Sequence, residues 1–212
     1  MPIAITDRDH ELLMTLTLRV RVITLRQATR VWWSDSRLGQ KTARDRLLKL
    51  EQAGLVCRRR VVVHPLLKLT EPAIAWRPGM ASPDFGRTAY HLRNRWRAPP
   101  TATTVFFASS LAANRFGGFG GRLKHRTQVT HDVHLSEVYF LLLREDDSVA
   151  TKWRGEEILE TEAGEKLPDA ALCDPEGNAI QYVEFGGCYA QERVAAFHQF
   201  CAKKTGGGYQ LW

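Results

Sequence analysis

Residues 167–187, LPDAALCDPEGNAIQYVEFGG, carry two strand-like runs on either side of a cluster of turn formers. Ala170 and Leu172 belong to the first run, Asp174-Pro175-Glu176-Gly177-Asn178 is the cluster, and Ile180, Tyr182 and Val183 favour extended backbone. The pattern predicts a β-hairpin with a five-residue loop. Asp169 opens its first strand and Glu184 closes its second, so both acids fall at one end of adjacent antiparallel strands. An upstream strand at 149–153 is followed by Glu156 and Glu157, which offers a third carboxylate. Convergent carboxylates suit a hard divalent cation such as Mg²⁺, and acids that cap turns and solvate strand ends are the plainer alternative.

Charge is distributed unevenly around this stretch. Residues 1–70 hold 14 Lys/Arg against 6 Asp/Glu, residues 71–130 hold 9 against 2, and residues 131–212 hold 7 against 15. A basic first two-thirds fits a nucleic-acid binder, and an acidic last third fits a cation site or a solvated surface. No apolar run reaches the length of a membrane span and the first residues lack a signal-peptide pattern, so a cytoplasmic protein with no membrane partner is expected. Cys57, Cys173, Cys188 and Cys201 have no ligand spacing, and are expected to be reduced packing residues.

Thr6, with Asp7, Asp9 and Glu11 behind it, starts a helix whose apolar face is Leu12, Leu13, Leu16 and Val20. Thr24 and Gln27 form a capping box for a second helix through Val31 and Trp32. A third helix is expected over 36–53, with Ala43, Leu47 and Leu50 buried, Gly54 ending it, and Arg37, Gln40, Lys41 and Arg44 outward. The stretch LVCRRRVVVHPLLKLT then predicts a strand, a turn at His64-Pro65 and a returning strand. From Glu71 to Phe119, prolines interrupt two short helices, about 87–96 and 103–114, before glycines at 117–121 that suggest a flexible hinge. A phosphate loop is disfavoured there, since no Gly-Lys-Ser/Thr follows. Arg87, Arg93, Arg95, Arg97, Arg115, Arg122, Lys124 and Arg126 would extend a phosphate-binding surface. Helices at 131–144 and 191–204 and a last strand at 209–212 give the order α-β-β-β-α-β from residue 131.

Three helices followed by a hairpin resemble a winged helix-turn-helix domain, with TARDRLLKLEQAGLV (residues 42–56) matching the end of a recognition helix running into the wing. The resemblance implies that Gln40, Lys41, Arg44 and Arg46 approach bases or phosphates. It also implies that Arg37, Arg58, Arg59, Arg60 and Lys68 contribute to DNA binding, although strand alternation keeps the three consecutive arginines from facing one way. The later order, with Pro168-Asp169 and Glu184, resembles the core of PD-(D/E)XK, or restriction-endonuclease-like, proteins. Together the two parts resemble the replication-relaxation family of plasmids and other mobile elements, whose layout is matched by His131 and His134, Trp153 with Glu156 or Glu157, Pro168-Asp169-Ala170, and Glu184-Phe185-Gly186-Gly187.

The expected architecture is therefore α+β: a winged helix-turn-helix at 1–72, a basic helical connector at 73–121, and a restriction-endonuclease-like α/β domain at 122–212. An active nuclease of this kind would use Glu156, Asp169 and Glu184 catalytically, with Asp169 and Glu184 holding Mg²⁺. DNA binding itself requires no cofactor. The signature lysine falls at Gly186, and Lys203, Lys204, Gln181 and His198 are the polar groups available as substitutes. Expected partners are double-stranded DNA, a second copy as homodimer, and DNA-processing proteins. A Mg-dependent DNA endonuclease and a homodimeric winged-helix transcription regulator stand as the alternatives.

Overall fold

The computed structural model describes residues 3–123, 128–159, 168–204 and 207–212. Lys124, Arg126 and Leu167, which carried sequence expectations, lie outside the described residues. In chain order the first elements are α1 (Asp7–Leu18), β1 (Ile23–Thr24), α2 (Leu25–Trp32), α3 (Arg37–Gln52), β2 (Val56–Val63), β3 (Ile74–Trp76), α4 (Phe85–Asn94) and β4 (Thr101–Ala108). There follow α5 (Ser110–Phe116), α6 (Val129–Glu145), α7 (Val149–Lys152), β5 (Trp153–Gly155), β6 (Ala170–Cys173), β7 (Ala179–Glu184), α8 (Gln191–Lys203) and β8 (Gly208–Leu211). The fold is mixed α+β, with two sheets among the described residues.

The chain forms two compact units, each assembled from two separated segments: Met1–Pro65 with Pro100–Phe140, and Leu66–Pro99 with Leu141–Trp212. This differs from the three consecutive blocks at 1–72, 73–121 and 122–212. The stretch taken for a connector is shared between the units, because β3 joins one sheet and β4 the other.

In the first unit the helix starts follow their local signals. Thr6 accepts from Asp9 N–H at 3.3 Å while the Asp9 carboxylate accepts from Thr6 N–H at 2.8 Å, and Thr24 and Gln27 form the same reciprocal pair. Ser36 caps α3 through Gly39 N–H. Leu12, Leu13, Leu16, Ala43, Leu47 and Leu50 meet in a core from which water is excluded.

The unit's sheet has the order β1-β4-β2 and is antiparallel throughout. β2 pairs along its whole length with β4, from Val56 opposite Ala108 to Val63 opposite Thr101. This corrects two expectations: residues 66–70 do not return as a strand, and 103–114 is not one helix. Thr101–Ala108 is rich in β-branched and aromatic residues, which suit a strand, and Ser109 then caps α5. Nor do the glycines at 117–121 act as an open hinge. Phe119 N–H donates to Thr17 O and Gly121 N–H to Ala108 O, both at 2.8 Å, and a Cβ on Gly118 would lie 1.9 Å from Thr17 O. Glycine is there for close backbone approach.

The second unit holds a five-stranded sheet in the order β3-β8-β7-β6-β5. Only β7 and β8 run parallel. The hairpin of β6 and β7 forms as its sequence predicts, with Ala170 opposite Val183, Asp174 closing the loop through Asn178, and Gly177 at φ +91°. The expected strand at 149–153 is instead the helical turn α7, and extended backbone begins at Trp153. Asp146 sets that turn by accepting from Ser148 N–H and Oγ. α4 and α8 pack on the sheet through Leu92, Ala89, Val194 and Phe197 against Ile74, Trp76, Tyr209 and Leu211. No helix among the described residues is long and apolar enough to cross a membrane.

Candidate nucleic-acid interface and carboxylate pair

One side of α3 is buried through Gly39, Ala43, Leu47 and Leu50. The 3.6-residue period then turns Arg37, Gln40, Lys41 and Arg44 outward, and all four are exposed. Leu38, on the same first turn, is 74% exposed, an apolar neighbour that charge-based reasoning passed over. Along β2, Arg58, Arg59 and Arg60 are exposed as well, since β2 is an edge strand of its sheet. Arg58 pairs with Glu51 at 3.0 Å, and exposed Val62 shares the face of Arg58 and Arg60.

Arg46 and Lys68 are placed differently from the rest of the expected set. The Arg46 guanidinium is bidentate to the buried Asp9 carboxylate and also donates to Ala4 O at 2.6 Å. Arg46 therefore braces α3 against the start of α1 instead of reaching outward. Lys68 is exposed but belongs to the second unit and to no strand, so it is not on a wing returning from β2.

In the second unit Asp169 and Glu184 do come together. Asp169 N–H donates to Glu184 Oε2 at 3.2 Å, and Phe185 N–H donates to Asp169 Oδ2 at 2.7 Å, so each acid is held by backbone of the other strand. Glu156 N–H donates to Asp169 O at 2.9 Å, which brings the third acid's backbone to the same sheet end. Glu184 is 1% exposed, and its Oε1 accepts from Tyr189 Oη at 2.5 Å. Burial, and then the charges of Glu184 and Asp169, push the Tyr189 phenol far above its ordinary pKa, so it stays a proton donor. Tyr189 was missed in the sequence, where a tyrosine five residues beyond an acid follows no spacing rule.

For a cation, Asp169 and Glu184 are hard oxygen ligands of the right chemistry. Three of their oxygens already accept from Tyr189 and two amides, and among the described residues no three His, Cys, Asp or Glu side chains group as a metal site would.

Gly186, where the signature lysine would stand, is walled in. A Cβ there would lie 2.7 Å from Leu92 Cδ1 and 3.1 Å from Leu211 Cδ1. Its carbonyl accepts from Arg95, which also donates to Trp212 O at 3.2 Å and lies over the Phe185 ring at 4.5 Å. Burial brings the Arg95 pKa down to about 10. Of the proposed helpers, His198 is packed among Trp76, Phe85 and Tyr209, with Nδ1 3.1 Å from Tyr209 Oη. Lys203 ends α8, and Lys204 lies over Phe200. Gln181, opposite Leu172, is half-buried.

The histidine pair on α6 divides. His134 is fully buried, with its two ring nitrogens 2.7 Å from Thr130 O and 3.2 Å from Pro65 O, and His131 lies 3.4 Å from Asp132. Both rings are engaged in packing and hydrogen bonds within their unit. Comparison with protein-family models, with curated proteins and with solved structures gives no match.

Proposed function

We propose that the chain binds double-stranded DNA through its first unit, a winged helix-turn-helix whose recognition helix is α3 and whose wing is β2 with β4. The observation that carries this reading is the order α1-β1-α2-α3-β2-β4 with the sheet order β1-β4-β2, which leaves α3 and β2 exposed with their cations outward. Arg37, Gln40, Lys41 and Arg44 approach the groove, and Arg60, on the β2 face shared with Arg58 and Val62, neutralises a phosphate. The second unit is a PD-(D/E)XK-like scaffold. The resemblance to replication-relaxation proteins puts the setting in a plasmid or other mobile element, in its replication, transfer or control.

Fluorescence anisotropy with labelled duplexes across a salt series tests the reading. Four exposed cations, Arg37, Lys41, Arg44 and Arg60, predict a slope of log K against log salt of about −3 to −4. Removing Lys41 and Arg60 together lowers the steepness by about 2. Binding that is absent, or indifferent to salt and to both substitutions, rejects it.

The second reading is a Mg-dependent DNA endonuclease, favoured by the contact between Asp169 and Glu184 at adjacent strand ends. Metal-dependent nicking of supercoiled DNA that Asp169→Ala abolishes would establish it. An intact substrate with Mg²⁺ and Mn²⁺ leaves the carboxylates as a structural pair.

A further inference from the structure

The sheet of the second unit ends at β3, and among the described residues no strand pairs with its other edge. The ladder fixes which backbone groups point there. Trp212 N–H donates to Glu184 O, and Trp212 O accepts from Gly186 N–H, so Trp212 turns its backbone to β7's side. By alternation Gln210 does the same, and Tyr209 and Leu211 turn theirs to β3. Their antiparallel partners Trp76 and Ile74 are therefore the hydrogen-bonded pairs, which leaves the N–H and C=O of Ala75 facing outward. Ala75 is exposed, with Ile74 and Trp76 buried on either side of it.

Beside this edge runs an open groove of about 660 Å³, with residues 71–76 on one wall and α4 from its cap Asp84 to Arg95 on the other. The helix wall, eleven steps from Asp84 to Arg95, covers about 17 Å, and β3 sets three extended residues beside it. Arg87 and His91 lie four residues apart along α4, about 6 Å, close to the roughly 6.8 Å between alternate side chains of an extended chain, and Arg95, held by Gly186 O and Trp212 O, ends the groove. Of the two acids in the groove, Asp84 accepts from Arg87 N–H as the helix cap, which leaves Glu71 on the wall facing α4.

We propose that this groove takes an extended acidic peptide segment of a partner protein, which adds a strand to β3 and sets its alternate carboxylates against α4. An edge that presents a donor and an acceptor matches a peptide backbone, which has both, whereas a nucleic-acid backbone offers acceptors. A second copy of β3 in the groove would set the Arg87 side chains of two α4 helices against each other, and like charge opposes that. The proposal stands independently of DNA binding by the first unit.

The test uses the full chain and a labelled, end-blocked heptapeptide of alternating Glu and Val. Controls are a Lys-for-Glu peptide, a version N-methylated at alternate residues, and a single-stranded oligonucleotide. Saturable binding of the Glu peptide alone is expected, weakened about tenfold or more by the surface changes Arg87→Glu with His91→Glu. Ala75→Pro removes only the outward N–H, leaves the ladder to β8 in place, and is expected to weaken binding about as much. The N-methylated peptide reads the same hydrogen bonds without altering the protein, so it decides the matter if Ala75→Pro lowers the melting temperature. Lack of saturable Glu-peptide binding, equal binding of the Lys or N-methylated peptide, or preference for the oligonucleotide overturns the proposal.

Discussion

The Glu184 carboxylate is almost wholly out of water, and a buried acid keeps its place only when hydrogen bonds replace the lost hydration. Tyr189 supplies one of them, so Tyr189→Phe is expected to cost about 1.5–3 kcal/mol in urea unfolding. An unchanged midpoint would show that the phenol contributes no net stability. At Gly186, Ala or Lys must displace Leu92 and Leu211. Gly186→Ala is expected to cost about 1–3 kcal/mol, and Gly186→Lys to unfold more readily still without conferring cleavage. A stable, cleaving Gly186→Lys would refute this account of the glycine. Asp169 and Glu184 were legible in the sequence because their pairing follows from a short turn between two strand-like runs. Arg95 was legible only as a charge. Its contact with Gly186 spans 91 residues, and no local rule reaches that far.

Among the elements, helix starts were the most legible, because a cap is a contract between residues three apart; Thr6 and Thr24 each cap where the sequence placed them, and Ser36 caps a helix that was expected from about that residue. The partner of β2 was not, since a strand finds its neighbour by tertiary pairing and β4 comes from across residues 64–100. The seam between α1 and α3 carries a pH prediction. Burial tends to raise the Asp9 carboxyl, but hydrogen bonds from Arg46 and Thr6 outweigh it and hold the pKa below 3.8. A depressed folded pKa means that the stabilisation is complete above the ordinary value and is lost as pH falls through the folded one. Arg46→Ala is thus expected to cost about 3 kcal/mol at neutral pH, the lower end for a buried pair that loses one partner. The difference from the parent should shrink as pH falls below the ordinary carboxylate range. Urea unfolding of both proteins across that range checks it, and a gap independent of pH would assign the loss to packing instead.

At the scale of the whole molecule, the basic excess stays with one unit, although each unit is assembled from two separated segments. Met1–Pro65 with Pro100–Phe140 hold 17 Lys/Arg against 8 Asp/Glu, and Leu66–Pro99 with Leu141–Trp212 hold 13 against 15. If the basic unit is the DNA-binding module, it should survive without the segment that interrupts it. Val63 and Thr101 are cross-strand partners, so putting Asn-Gly in place of Leu66–Pro99 leaves a five-residue connection, His64-Pro65-Asn-Gly-Pro100, between two paired strand ends. A chain that runs to Glu145, with Asn-Gly in place of Leu66–Pro99, keeps Pro65 and its contact with His134, and keeps β1, β2 and β4 in one sheet. It is expected to melt cooperatively by circular dichroism, because its core of Leu12, Leu16, Leu47 and Leu50 lies within the unit. It should bind duplex DNA with the salt dependence of the parent, since the cations of α3 and β2 are all retained. A folded but non-binding product would move DNA recognition to the second unit. An unfolded one would mean that the interrupting segment is part of what holds the sheet together.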